Sequence, residues 1–255
     1  MAPLASVIIP LFNNVALTQA CLEALVAVTP EHMYEVVLVD NASTDGTAEL
    51  LDALAGDVTI IRNRVNRGFA GACNQGAAAA RGEYYVFLNN DTEVLSGWLE
   101  PLVGTADGNG RVGAVGSKLL FPDGTIHHGG VIIVEDTVHG FLEGRHRWYG
   151  EAGDHAEANV PAVVKAVTAA AMLVRPEAFA AAGGFDEGYW NGNEDIDLCL
   201  KMGLAGWTTV YQPASRIVHH ESVSGPERWT KCVENMTRFK ERWYGRVSPD
   251  VVLTP

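Results

Sequence analysis

The stretch E-V-V-L-V-D-N, residues 35–41, decides the fold class of this chain. Its uninterrupted run of branched apolar residues is typical of a strand buried on both faces, and two polar residues follow at once. Ser6–Leu11 before it and Tyr84–Leu88 after it have the same character, with helix-like segments between them. This alternation predicts an α/β fold with a mostly parallel, Rossmann-like central sheet flanked by helices. The carboxyl ends of its strands then share the edge where such sheets bind ligands.

Working outward, the apolar spacing predicts helices and strands along the whole chain. Ser43 and Thr44 are expected to cap a helix that runs through Leu54, and after about residue 110 strands become more frequent, as an extension of the same sheet. The further predicted strands are Asp57–Ile61, Val112–Phe121, Thr125–Val134, Val163–Val174, Trp207–Tyr211 and Arg216–His219. The predicted helices are Leu17–Val28, Gly68–Ala80, one that starts at Pro176, Asn193–Leu204 and Glu227–Trp243.

Composition narrows the class of protein. The 255 residues carry a net charge of −13, which argues against a nucleic-acid partner, and 47% are hydrophobic, as in a single packed domain. We see no run of about 18–20 apolar residues that would cross a membrane and no secretory signal. The four cysteines form no C-x-x-C pair, so buried, reduced thiols are expected. Together these features predict a cytoplasmic protein, with peripheral contact at the inner face of the membrane left open.

Two acids at the predicted carboxyl edge are candidates for binding a nucleotide and a metal. Asp40, directly after a buried strand, can accept the N–H of a nucleobase or a ribose hydroxyl, or can instead shape the next turn. Asp91 follows Asn89 and Asn90 after another apolar strand. Beside a diphosphate it would need Mg²⁺ or Mn²⁺ to offset like-charge repulsion, whereas an ordinary Asx turn is the alternative.

Two later segments add a base and a nitrogen ligand. Asn193 is expected to cap a helix whose first turn holds Glu194 and Asp195, and either acid could serve as a general base or simply complement the helix dipole. The pair His219–His220 follows the last predicted strand, where at most one imidazole can face a given site. The earlier pair His127–His128 lacks acidic neighbours and is interpreted as part of a loop.

Seven segments in this order resemble the inverting family 2 glycosyltransferases of GT-A fold, in the branch of bacterial rhamnosyltransferases and O-antigen enzymes. The resemblance covers nearly the whole chain. The segments are V-I-I-P-L-F-N (7–13), V-V-L-V-D-N-A-S-T-D-G-T (36–47), N-R-G-F-A-G-A-C-N-Q-G (66–76), F-L-N-N-D-T-E (87–93), L-V-R-P-E-A-F-A-A-A-G-G-F-D-E (173–187), N-E-D-I-D-L-C-L (193–200) and V-H-H-E-S-V-S (218–224).

The resemblance implies a single catalytic domain, 1–255, with a donor-binding half (1–110) and an acceptor-binding and catalytic half (111–255) that carries a smaller acceptor-side extension. It further implies sugar transfer from a UDP- or dTDP-sugar to a hydroxyl of a glycan, a lipid-linked or a small-molecule acceptor, in polysaccharide or glycoconjugate synthesis. The implied nucleotide-binding residues are Pro10, Asp40, Asn41, Arg67, Gly68 and Asn90; the metal ligands are Asp91 and His219 or His220; the catalytic acids are Asp195, with Glu194 next; the sugar-binding residues are Trp190 and Asn193.

Two details qualify these implied roles. His219 is preferred to His220 because it stands five residues before Ser224, as in the spacing of the family. The family's D-x-D signature is reduced here to Asn89-Asn90-Asp91, which leaves one carboxylate for Mg²⁺ or Mn²⁺.

Three other functions compete with this interpretation. A Rossmann-type dehydrogenase or methyltransferase would need a glycine-rich turn after the first strand, which is absent. A nucleotidyltransferase would need a glycine- and basic-rich loop there. A degenerate sugar-nucleotide or glycan-binding module is compatible with the reduced metal signature. The basic, Trp-containing helix Glu227–Trp243 is interpreted either as a membrane-contacting surface or as an ordinary packed helix.

Overall fold

The computed structural model describes residues 3–220 and 231–254. The first half of the chain alternates strands and helices, and the second half contains more strands. In chain order the elements are β1 (Ala5–Leu11), α1 (Val15–Val28), β2 (Tyr34–Asp40), α2 (Thr47–Ala53), β3 (Thr59–Arg62), α3 (Gly68–Ala79), β4 (Tyr84–Leu88), β5 (Thr92–Val94), α4 (Leu99–Gly108), β6 (Val112–Leu120), β7 (Ile126–His128), β8 (Val131–Asp136), β9 (Phe141–His146), β10 (Ala162–Val164), β11 (Ala171–Val174), α5 (Pro176–Ala181), α6 (Glu194–Leu204), β12 (Thr208–His219), α7 (Cys232–Trp243) and β13 (Val251–Leu253).

The central sheet has the strand order β10-β12-β6-β11-β4-β1-β2-β3, with β5 and β7 attached at its side. β1 pairs in parallel with β2 and β4, and β2 pairs in parallel with β3. β11 is antiparallel to both of its neighbours, β4 and β6, while β12 is parallel to β6. The predicted α/β class, with a central sheet flanked by helices, is confirmed; the sheet is mixed, with parallel pairing along β4-β1-β2-β3 and antiparallel pairing at β11. The carboxyl ends of β1, β2 and β4 meet at one edge.

Helices cover both faces of the sheet. Because successive residues of a strand point to opposite sides, each strand contributes to the core on both faces. In β1, Ile8 packs into the core beneath α3 and α6, whereas Ile9 packs into the core beneath α1, α2 and α4. α3 approaches the sheet closely at Gly76, where an added Cβ would lie 2.3 Å from a methyl carbon of Ile8. The small residues of α3 therefore allow it to pack directly against the first strands.

Several predicted elements are divided or joined differently. The expected strand Thr125–Val134 is two strands, because the chain turns at Gly130, which has a φ of +94°. The expected strand Val163–Val174 is also two, β10 and β11. The expected short strands Trp207–Tyr211 and Arg216–His219 are instead one strand, β12, with a register shift in its middle.

The helix caps and the second half also differ from prediction. α2 begins at Thr47 after Gly46, so neither Ser43 nor Thr44 caps it, and the Ser43 hydroxyl instead accepts the backbone N–H of Asn13. The second half extends the central sheet only in part, because β13, β8 and β9 form a separate three-stranded sheet. β8 pairs with β9 along six residues and with β13 on its other side, so β8 is the central strand of this small sheet.

The C-terminal helix is anchored by inward-facing basic residues. The predicted start at Glu227 lies outside the described residues, and the described helix is α7. Its Arg242 forms ion pairs with Asp186 and Asp197, and Trp243 is buried. These contacts favour a packed helix over a membrane-contacting surface. No helix in the described ranges combines the length and apolar character that crossing a membrane requires.

All four cysteines are free thiols, as predicted. Cys21, Cys73 and Cys199 are buried and Cys232 is half-buried. Burial raises the pKa of the Cys21 thiol to about 11 and that of Cys199 to about 12, because a thiolate is poorly solvated inside the protein. These three side chains therefore act as small apolar core residues.

Candidate active site

Two adjoining clefts open at the carboxyl edge of the sheet. The first cleft lies where β1, β2 and β4 end, and the second continues from it towards the start of α6. The first cleft is lined by Pro10, Leu11, Phe12, Asn41, Asn66, Gly68, Phe69, Asn89, Asn90, Asp91, Trp190 and Asn191. The second shares Phe69, Asn89, Asp91 and Asn191 with it and adds, among others, His127, Glu143, His146, Asn193, Glu194, Asp195 and His219.

Asn41 organises one wall of the first cleft through its side-chain amide. Its Nδ2 donates to Asn66 Oδ1 and to the Gly68 carbonyl, both at 2.9 Å. Its Oδ1 accepts the Arg67 N–H and the Asn63 amide, both at 3.0 Å. Since all four hydrogen-bonding positions of this amide are used within the protein, Asn41 holds the loop before α3 in place.

Asp40 is buried at the end of β2, and its Oδ1 accepts the backbone N–H of Ser43 at 2.9 Å. This is the turn interaction that the sequence left open as the alternative to base recognition. Asp40 is not among the residues that line the first or the second cleft. Its predicted role in reading a nucleobase therefore stays a prediction.

Arg67 and Gly68 connect the start of α3 to the loop around Trp190. The Arg67 guanidinium donates to Glu187 at 3.2 Å, and both side chains are exposed. Gly68 has a φ of +73°, and an added Cβ would lie 2.9 Å from the Trp190 carbonyl oxygen. A side chain here would therefore push the Trp190 loop away from the first cleft.

Asn90 lines the first cleft beside Asp91, and its amide is oriented by α1. Its Nδ2 donates to the Thr18 hydroxyl at 2.9 Å and to the Asn13 carbonyl at 3.4 Å. Asn13 itself has a φ of +59°, a left-handed conformation that asparagine tolerates better than most residues. The turn after β1 and the Thr18 hydroxyl thus orient Asn90 in the wall of the first cleft.

Asp91 and His219 meet although 128 positions separate them in the sequence. β5 pairs with the end of β12, with Thr92 opposite His219. This brings Asp91 Oδ1 to 3.1 Å from His219 Nε2, and both side chains are buried. His220, one residue on, points away and places its Nε2 2.7 Å from Glu93 Oε1. The structure therefore associates His219, and not His220, with Asp91, as the alternation of side chains along a strand requires.

The donor atoms at this point suit a hard divalent cation. Residues 3–220 and 231–254 contain no group of three or more His, Cys, Asp or Glu side chains arranged to hold a metal. Asp91 and His219 form a pair, and beside them the buried Asn89 Oδ1 has no hydrogen-bond partner. Asn89 Nδ2 lies 3.5 Å from His219 Nε2, so this amide is adjacent to the pair. One carboxylate, one imidazole and one amide oxygen fit Mg²⁺ or Mn²⁺ that completes its shell with substrate oxygens and water.

The interpretation of His127–His128 as a loop is wrong, because both residues lie on β7 and are buried. His127 Nδ1 lies 3.3 Å from His219 Nδ1. His128 Nε2 accepts the backbone N–H of Thr168 at 3.3 Å, and burial lowers the pKa of His128 well below its usual value. The sequence held one signal for this: the pair falls inside the predicted strand Thr125–Val134, which conflicts with a loop.

The acids at the start of α6 face the second cleft. Asp195 Oδ2 accepts the Ala169 N–H at 3.1 Å, and its Oδ1 accepts the Ile196 N–H at 2.8 Å. Glu194 is buried, and its carboxylate accepts the Gly192 N–H. Asn193 precedes the helix as predicted, but in a left-handed conformation with a φ of +72° and without a side-chain cap hydrogen bond. Asp195 is the more accessible of the two acids and lines the same cleft as Asp91 and His219.

Comparison with known proteins identifies the family. Residues 6–161 match the family model of glycosyl transferase family 2, and the chain therefore belongs to that family. It is 34% identical over 253 residues to the uncharacterized protein y4gI of Sinorhizobium fredii, covering 94% of this chain and 28% of that protein. It is 35% identical over 232 residues to the O-antigen biosynthesis protein RfbC of Myxococcus xanthus, covering 87% of this chain and 18% of RfbC. The chain thus spans less than a third of these two relatives.

A third relative is of more similar length. The chain is 28% identical over 219 residues to the N-acetylglucosaminyl-diphospho-decaprenol L-rhamnosyltransferase of Mycobacterium tuberculosis, covering 79% of this chain and 71% of that protein. The resemblance of this chain to the rhamnosyltransferase and O-antigen branch of the family thus agrees with the names of these relatives.

Solved structures confirm the GT-A fold. GalNAc-T7 with UDP, GalNAc and Mn²⁺ superposes with a TM-score of 0.75 at 20% identity, covering 96% of this chain and 49% of that chain. The mannosyltransferase PcManGT of Pyrobaculum calidifontis with GDP-Man and Mn²⁺ superposes with a TM-score of 0.62 at 21% identity, covering 90% of this chain and 60% of that chain. At these identities the likeness establishes the fold alone.

Proposed function

We propose that this family 2 glycosyltransferase chain transfers a sugar from a nucleoside diphosphate donor to an acceptor hydroxyl, with inversion at the anomeric carbon. The observation that carries the proposal is the second cleft, which brings Asp91, His219 and Asp195 to one cavity. A buried carboxylate–imidazole pair that can hold a cation and an accessible carboxylate across the same cavity are the parts that such a displacement needs.

In this proposal the first cleft binds the donor. Asn41 and Gly68 shape its wall, Pro10 and Asn90 line it, and the N-terminus of α3 faces the nucleotide. Asp40 accepts the base N–H through the carboxylate oxygen that Ser43 does not use. Most of this wall belongs to residues 1–110, which agrees with the proposed division into a donor half and an acceptor half (111–255).

The metal site is formed by Asp91 and His219, with Asn89 Oδ1 beside them. Mg²⁺ or Mn²⁺ supplies neutralisation of the negative charge that grows on the leaving diphosphate. Asp91 and His219 are buried, so solvent does not screen their interaction with a bound cation strongly. The buried Asn89 oxygen has no hydrogen-bond partner in the protein, and a cation held by Asp91 and His219 would give it one.

Asp195 accepts the proton of the acceptor hydroxyl as that oxygen attacks the anomeric carbon. The Ala169 N–H holds one carboxylate oxygen in position and the helix N–H of Ile196 holds the other. Glu194 is turned towards Gly192 and contributes to the shape of the turn that precedes α6. Trp190 and Asn193, from the same turn, line the first and the second cleft and contact the sugars.

We also propose the class of donor nucleotide and of acceptor, on the basis of the named relatives. A dTDP- or UDP-activated sugar is favoured, with a lipid-linked acceptor of the kind named in the mycobacterial relative. Polysaccharide or glycoconjugate synthesis agrees with the O-antigen relative. The alternative function, a degenerate sugar-nucleotide or glycan-binding module, is favoured by one observation: Asn89 stands where the family's D-x-D signature carries its first acid.

Thermal unfolding with UDP, dTDP or GDP, each with and without Mn²⁺, tests the proposal. A nucleotide at about 100 times its Kd should add about 2.7 kcal/mol. That corresponds to a Tm increase of roughly 5–11 °C for a domain of this size. We expect the increase to depend on Mn²⁺ and to be lost in Asp91→Asn but kept in Asp195→Asn. No increase with any of the three nucleotides contradicts the proposal, and an increase without release of the nucleoside diphosphate from any sugar nucleotide favours the binding module.

A further inference from the structure

His127 contacts His219 on the side away from Asp91, and the proposed chemistry does not use it. It is 3% exposed, and its Nδ1 faces His219 Nδ1 at 3.3 Å with ring centroids 4.8 Å apart. We propose that His127 is a positioning residue that fixes the tautomer and orientation of His219 and so sets the affinity of the site for a divalent cation. This inference rests on the proposed function only in assuming that Asp91 and His219 bind the cation.

The tautomers of the two imidazoles are coupled, because their Nδ1 atoms face each other. Two ring nitrogens that face each other share one hydrogen, so one must donate and the other accept. When His219 Nε2 donates to Asp91, its Nδ1 accepts from His127. When Nε2 binds a cation it carries no hydrogen, so Nδ1 holds the proton and donates to His127. His127 can take either part, which allows the ring of His219 to stay in one orientation in both states.

His127 is itself held in place. Its backbone carbonyl accepts the Nδ1–H of His146 at 3.0 Å, which fixes the β7 backbone beside β9. Its ring packs edge-on against Phe121, with centroids 4.9 Å apart, and against Tyr149, with centroids 5.9 Å apart. A ring confined in this way positions His219 without the entropic cost of ordering a mobile side chain.

The geometry also separates this role from filling space. Phenylalanine reproduces the ring contacts of His127 with Phe121 and Tyr149 but can neither donate to nor accept from His219. Asparagine loses most of the ring, yet its amide reaches the position of Nδ1 and offers both a donor and an acceptor. If His127 acts by hydrogen bonding to His219, asparagine at this position preserves metal binding and phenylalanine does not.

The experiment compares wild type, His127→Phe and His127→Asn by Mn²⁺ titration, monitored through the electron paramagnetic resonance of free Mn²⁺. Titrations are run with Mn²⁺ alone and with saturating UDP or dTDP. A matched control is His155→Phe, because His155 packs on Trp148 and is absent from the lining of both clefts. Circular dichroism and the metal-free Tm confirm that each variant is folded.

We expect His127→Phe to raise the Kd for Mn²⁺ by about 10–100-fold, the usual effect of losing an outer-shell partner. We expect His127→Asn to lie closer to wild type than to His127→Phe, and His155→Phe to bind as wild type does. Mn²⁺ affinity in a folded His127→Phe protein equal to that of wild type would overturn the inference while leaving the proposed function intact. A wild-type protein that binds no Mn²⁺ under any condition would overturn both.

Discussion

Replacing Asp197 with alanine should detach the C-terminal helix from the helix that carries the proposed base. Asp197 lies in α6, and its side chain is completely buried. Arg242 Nη1 donates to both of its oxygens at 2.9 and 3.0 Å, and the Trp243 indole N–H donates at 2.9 Å. Lys201 Nζ lies 3.2 Å from Oδ2. The Tyr189 hydroxyl also donates to Oδ1, at 3.4 Å. One carboxylate therefore holds four side chains, three of them on the two helices.

The magnitude follows from what each partner loses. The buried Trp243 N–H would have no acceptor, which costs about 1–3 kcal/mol. Removing one member of a buried ion pair costs about 3–5 kcal/mol when the other charge stays buried. Arg242, however, is 31% exposed and keeps its ion pair with Asp186, so water and that carboxylate compensate for part of the loss. We expect Asp197→Ala to lower the free energy of unfolding by about 3 kcal/mol, near the lower limit of that range.

Urea unfolding followed by circular dichroism measures this loss. The matched control is Asp52→Ala, because Asp52 pairs with Arg62 at 2.6 Å on the surface, with side chains 70% and 44% exposed. Exposed pairs contribute about 0–1 kcal/mol, so the control should change stability little. Asp197→Asn keeps one carbonyl oxygen for Trp243 and should fall between the two. If Asp197→Ala destabilises the protein no more than Asp52→Ala, the reasoning about the buried carboxylate is refuted.

Two further predictions concern the base and the thiols. Asp195→Asn should lower the rate of sugar transfer by about 10²–10⁴-fold without weakening nucleotide binding, because general-base catalysis has that magnitude; wild-type turnover would instead point to Glu194. A thiol-reactive chromogenic disulfide at pH 8 should label one cysteine per native chain, Cys232, and all four after unfolding, since burial raises the pKa of Cys21 and Cys199 and shields Cys73. Fast labelling of more than one native thiol would contradict the described packing.

The local elements of the first half follow from the sequence because each is determined by neighbouring residues. The apolar run before Asp40 predicted β2, and the small residues after Arg67 predicted α3, with bounds within one residue of those observed for the helix. The predicted caps at Ser43 and Thr44 were wrong for a tertiary reason: the Ser43 hydroxyl is used by Asn13, 30 positions away. A prediction from neighbouring residues cannot include a hydrogen bond from such a distant part of the chain.

The candidate site was predictable in its parts and not in its connections. That Asp91, Asp195 and a histidine after the last strand belong together followed from resemblance, and the structure brings them to one cavity. The choice between His219 and His220 was decided by the pairing of β5 with β12, which directs one ring to Asp91 and the other to Glu93. His127 lies 92 positions from His219, so no local pattern marked it as a neighbour.

The sequence by itself therefore determined the α/β class, the succession of the first strands along the chain and the polar residues that follow them. These features depend on apolar periodicity within each element and on the handedness of strand–helix–strand units of about 30 residues, so neighbouring parts of the chain set them. The tertiary structure places beside Asp91 the imidazole that the resemblance already preferred, His219, and it alone decided which carboxylate anchors α7 and which amide shapes the loop before α3. Those choices depend on tertiary packing. A shift of one residue in strand register would turn His219 to the opposite face of β12, and the partners of Asp197 and Asn41 lie far from them along the chain.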